Sequence, residues 1–107
     1  MVADTGNHRV RRVADGLVST LAGEGFENPT GVAVAGASIY VADDTSARLR
    51  VIADGQVRTA AGTGARGCDD GPALAATFGL VTDVATGPDG RLYIADPTNH
   101  VVRVFTP

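Results

Sequence analysis

Short segments rich in β-branched residues alternate along the whole chain with turns made of Gly, Asp and Pro. Segments of this kind, joined by pairs such as Asp15-Gly16 and Asp54-Gly55, are typical of antiparallel strands connected by hairpins. Helical periodicity is absent except in residues 64–79, where Pro72 predicts one or two helical turns through residues 73–77. The pattern therefore predicts an all-β fold.

The strand pattern repeats along the chain. Val2-Ala3-Asp4 returns as Val41-Ala42-Asp43 and again as Ile94-Ala95-Asp96. A strand-like segment follows each copy and carries an arginine in the same register, at Arg11, Arg50 and Arg103. The complete unit has four such segments and a length near the roughly 40 residues of one β-propeller blade.

The repeats divide the chain into four parts. We expect a partial blade in residues 1–25, a complete blade in 26–63, an inter-blade insertion in 64–79 and a partial blade in 80–107. A propeller closes with roughly four to eight blades, so these blades cannot close a ring by themselves. Two copies of the chain would supply six, which predicts a homodimer, since two-fold oligomers are the commonest.

A family resemblance rests on the first copy. Residues 3–11 (ADTGNHRVR), followed by Asp15-Gly16 and by residues 20–23 (TLAG), resemble an NHL repeat, and residues 67–73 with Phe78 resemble the connection between two such repeats. The resemblance implies a β-propeller, most often six-bladed, that serves as a platform for protein or RNA partners. A minority of the family are peptide-amidating lyases, which place metal and catalytic side chains around the central channel.

Composition narrows the classes of function. The chain is 44% hydrophobic and 20% charged, which is typical of a packed domain. Its net charge is -3, and its nine basic residues are all arginine, which disfavours nucleic acid as a partner. Cys68 is the single cysteine, so it forms no disulfide within the chain and is interpreted as incidental. No segment has the apolar length of a signal peptide or membrane span, which predicts a cytoplasmic protein without membrane contact.

Three sets of recurring polar residues are candidate ligand-facing or structural turn residues. The aspartates suit either a divalent cation or backbone N–H groups at a turn, the histidines suit a metal, a general base or a turn, and the arginines suit an acidic ligand or an ion-pair ladder. Recurrence in register favours the structural role for the aspartates and the arginines. Ala47 interrupts the register of the histidines, and since no matching Glu or Cys cluster accompanies them, a role in the turn is favoured there too. The sets are Asp4, Asp43 and Asp96, then His8 and His100, then Arg11, Arg50 and Arg103.

These observations predict an NHL-like propeller scaffold that binds a protein or a small ligand and assembles by homo-oligomerisation. We expect no catalytic activity and no cofactor, and we interpret the run Asp69-Asp70-Gly71 as a turn. Two alternatives remain open, a degenerate lyase-like, metal-dependent propeller enzyme and an RNA-binding NHL propeller. Eight apolar side chains are expected to be buried between blades, namely Val32, Val34, Val41, Leu49, Ile52, Val84, Ile94 and Val102.

Overall fold

The computed structural model describes residues 1–22 and 25–107, in which ten strands form three antiparallel sheets of three, four and three strands. The prediction of an all-β fold is confirmed. Gly23, the last residue of the TLAG motif, and Glu24 lie outside the described residues, and both belong to the expected first blade. In residues 1–22 and 25–107, no helix combines the length and the apolar character needed to cross a bilayer.

The strands follow one another along the chain in the order of their sheets. The first sheet has the order β1-β2-β3, the second β4-β5-β6-β7 and the third β8-β9-β10. Their bounds are β1 Val2–Asp4, β2 Arg9–Ala14, β3 Leu17–Ala22, β4 Pro29–Ala35, β5 Ser38–Asp43, β6 Arg48–Ala53, β7 Gln56–Ala61, β8 Asp83–Thr86, β9 Leu92–Asp96 and β10 Val101–Phe105.

Local sequence explains the hairpins. Asp15 and Gly16, which join β2 to β3, have φ values of 53° and 74°, and Asp54 and Gly55 repeat this geometry with 52° and 73° between β6 and β7. Two consecutive residues with positive φ form the type I′ turn that matches the twist of a hairpin, and Asp-Gly is among the pairs that adopt it most readily. The two hairpins also share one irregularity, a shift of register next to Arg11 in β2 and next to Arg50 in β6.

The middle sheet is covered on both faces. On one face Tyr40, Ala42 and Leu49 pack against Leu92 and Ile94 of the third sheet. On the other face Val41 and Ile52 pack against Val10 of the first sheet and against Phe26. The three sheets are therefore stacked side by side, and the core lies in two layers between them.

The prediction that Val34 is buried is wrong, and Val102 is not buried within a single chain. The side chain of Val34 is 50% exposed and that of Val102 is 65% exposed. Val34 lies near the turn that ends β4, and Val102 faces away from the middle sheet, where the described chain provides no further sheet to cover it. Of the others in the set, Val32 is only partly buried.

The helical turns expected after Pro72 shrink to one 3-10 turn, Ala73–Ala75. The backbone of Ala76 is already extended, with φ −69° and ψ 157°. The carbonyl of Ala73 accepts the N–H of Gly62 at 2.9 Å, and the carbonyl of Ala76 accepts the N–H of Thr63 at 3.1 Å. These carbonyls thus accept hydrogen bonds from the chain that follows β7. In a longer helix they would instead accept N–H groups of the helix itself.

Candidate functional site

Each sheet carries an aspartate at the end of one strand and an arginine on the adjacent strand. The structure places these side chains beside one another in all three sheets. The distances are 3.4 Å from Asp4 Oδ2 to Arg11 Nη1, 3.6 Å from Asp43 Oδ2 to Arg50 Nε, and 3.4 Å from Asp96 Oδ2 to Arg103 Nη1. The recurring aspartates and arginines are therefore partners of each other within a sheet.

Asp43 also holds the chain that leads into β4. Its side chain is completely buried, and its Oδ1 accepts the backbone N–H of Asn28 at 2.7 Å. The N–H of Glu27 lies 3.2 Å from Oδ1 and 3.1 Å from Oδ2. A carboxylate that accepts backbone N–H groups and has an arginine beside it has the partners that a buried charge requires. Asp43 thus fastens the end of β5 to the segment before β4.

Asp96 makes the equivalent link in the third sheet. Its buried Oδ2 accepts the N–H of Gly79 at 3.0 Å and the side-chain amide of Asn99 at 3.0 Å. A β-carbon on Gly79 would lie only 2.7 Å from Asp96 Oδ1, so a glycine is needed for this close approach. Asp96 therefore ties the end of β9 to the insertion, immediately before the segment that leads into β8.

Arg103 extends this link to the inter-blade insertion, which we define as residues 64–79. Its Nε and Nη2 lie 3.0 Å and 2.7 Å from Asp70 Oδ1, and its Nη1 donates to the carbonyl of Thr77 at 2.9 Å. The guanidinium also lies 5.0 Å from the centre of the Phe78 ring, within the range of a cation–π contact. Sequence reasoning missed the role of Asp70, whose signal was only the Asp69-Asp70 pair interpreted as a turn.

Asp4 is the least enclosed of the three aspartates. Its side chain is 29% exposed, and its Oδ2 accepts the side-chain amide of Asn7 at 2.9 Å beside Arg11. Two exposed or half-exposed partners replace the backbone groups that hold Asp43 and Asp96. The same sequence pattern therefore occurs in a buried setting and in an accessible one.

The two histidines occupy equivalent turns. His8 and His100 both have φ 56°, and Ala47 occupies the same position of the middle sheet with φ 53°. The backbone N–H of His8 donates to the Thr5 carbonyl at 3.2 Å, and its ring Nδ1 hydrogen-bonds the carbonyl of Glu27. The turn keeps its left-handed geometry whether a histidine or an alanine occupies it. Across the described ranges 1–22 and 25–107, no three His, Cys, Asp or Glu side chains form a group that could hold a metal ion.

A cavity of about 550 Å³ lies beside β10. It is lined by residues 101–106, by Ala73 and Ala76 of the insertion, and by Ala61 at the end of β7. Arg103 and Asp70 also line the cavity, and so does the exposed Cys68. The cavity thus combines apolar side chains with one ion pair, a combination that occurs in binding pockets.

A second polar group lies at the turn before β9. The backbone N–H of Arg91 donates to Asp89 Oδ1 at 3.1 Å and is the main reason that the pKa of Asp89 lies below its ordinary value. The phenol of Tyr93 donates to Asp89 Oδ2 at 3.1 Å, and this hydrogen bond raises the pKa of Tyr93. Because Asp89 and Arg91 are exposed and lie within four residues of Tyr93, the group is a local turn motif rather than a site.

Comparison with known proteins supports the fold alone. No family model matches the sequence, and no curated protein matches it. The structure is similar to the crystal structure of a structural-genomics protein of unknown function from Bacteroides thetaiotaomicron, with a TM-score of 0.87 and 23% sequence identity over 95% of this chain. The chain spans 30% of the length of that protein. The three-sheet arrangement therefore also occurs within a longer polypeptide.

Proposed function

We propose that the three sheets are blades of a β-propeller that acts as a non-catalytic binding scaffold, and that two copies of the 107-residue chain close a six-bladed ring. The proposal is supported by the equivalence of the three sheets and by the NHL-like motif in residues 3–11. One observation carries the proposal. The exposed outer faces of the first and third sheets have, at the same repeat positions, apolar residues that are buried between sheets in the middle of the stack.

The outer face of the third sheet matches the covered face of the middle sheet. Val102 corresponds to Leu49 in the repeat, and Val104 corresponds to Val51. Leu49 is fully buried against the third sheet, whereas Val102 and Val104 are 65% and 54% exposed. The third sheet thus presents the surface with which the middle sheet packs onto its neighbour.

The outer face of the first sheet is the complementary surface. Val2 and Val13 are 46% and 56% exposed, and they correspond to Val41 and Ile52, which are 0% and 6% exposed in the middle sheet. One chain therefore presents both halves of a contact that already occurs twice within the stack. A head-to-tail pair would make this contact at each of its two junctions and would cover both apolar faces.

The role as a scaffold follows from where the recurring polar groups are used. The buried aspartates Asp43 and Asp96 and their arginines hold loops to strands, so they serve the fold. Recognition then falls to the connections between strands, which is where proteins on rigid β frameworks carry their binding residues. The insertion at residues 64–79 and the cavity that it lines are the first candidates for the protein or small ligand.

Light scattering on the purified 107-residue chain tests the ring. We expect a mass of about twice the 10.9 kDa of one chain. Val102→Asp and Val13→Asp each place a charge on one of the two outer faces and should give a folded monomer. The matched control is Leu17→Asp, because Leu17 is 72% exposed and corresponds to Gln56, which is also exposed in the covered middle sheet.

A wild-type chain that remains a folded monomer would refute closure by a second copy. Loss of association in the Leu17 variant as well would show that general surface charge, and not the two faces, governs assembly. In a longer polypeptide, sheets of the same chain would cover these faces, so the experiment requires the isolated 107-residue chain.

A further inference from the structure

We draw no further inference here: the strongest candidate, the cavity of about 550 Å³ that residues of β10 and of the insertion line together, borders the outer edge of β10, and nothing in the structure shows what covers that edge.

Discussion

Replacement of Asp43 by alanine should destabilise the fold far more than the same change at Asp4. The Asp43 side chain is fully buried, it accepts the N–H groups of Glu27 and Asn28, and it lies 3.6 Å from Arg50 Nε. The variant leaves those donors and a largely buried guanidinium without their carboxylate. Removal of one partner from a buried ion pair costs about 3–5 kcal/mol in free energy of unfolding. Domains are typically stable by only about 5–15 kcal/mol, so the loss is a large fraction of the total.

Asp4→Ala is the matched control, because it removes the repeat-equivalent carboxylate from an accessible site. Asp4 and Arg11 are 29% and 27% exposed and lie 3.4 Å apart, so solvent screens the pair. Such pairs contribute about 1 kcal/mol or less. Urea unfolding followed by circular dichroism, at one protein concentration for all variants, gives the two free-energy changes. Similar small losses in both variants would refute the conclusion that Asp43 holds the segment before β4.

Two further predictions concern the insertion and a surface turn. Gly62→Ala should lower the free energy of unfolding by at least about 2 kcal/mol, because Gly62 has φ 96° and its new β-carbon would lie 2.7 Å from the Ala47 carbonyl oxygen. Gly55→Ala is the control, since Gly55 has φ 73° but open space around it, and it should lower the free energy of unfolding by about 1 kcal/mol. Equal urea midpoints would contradict this. Asp89→Ala should lower the pKa of Tyr93 toward 10.0, since the variant loses the hydrogen bond that raises this pKa. In the wild type, that hydrogen bond stabilises the fold at pH values below the pKa of Tyr93 in the unfolded chain. The stabilisation is lost as the pH rises through the higher pKa of Tyr93 in the folded chain. Tyrosinate absorbance, with a Tyr93→Phe variant to assign the signal, would show an unchanged titration if the reasoning is wrong.

Local signals in the sequence predicted most of the secondary structure. The strands could be predicted from the local alternation of apolar segments and turns, and the hairpins from the preference of Asp-Gly pairs for type I′ turns. The helix after Pro72 was overestimated for a non-local reason. The carbonyls of Ala73 and Ala76 accept the backbone N–H groups of Gly62 and Thr63, which belong to the chain that follows another strand.

The candidate residues were identified by recurrence, but their partners were not. Asp43 and Arg50 recur in register and lie on adjacent strands, but Asp43 is paired with Arg48, and Arg50 reaches Asp43 diagonally from the position opposite Val41. The N–H groups that Asp43 accepts come from residues 15 and 16 positions earlier, and the carboxylate that Arg103 binds is 33 positions away. Contacts of this kind depend on how a loop returns to its sheet, which no spacing in the sequence expresses.

The sequence by itself determined the strands, their hairpins and the equivalence of three units, because each of these depends on a local period or on one turn. Only the tertiary structure decided which faces are covered. Leu49 and Val102 occupy the same place in the repeat, yet one is fully buried and the other is 65% exposed, because the third sheet covers that side of the middle sheet, whereas no sheet of the described chain covers that side of the third. The cavity beside β10 also depends on the tertiary structure, since residues of β10 and of the insertion line it together.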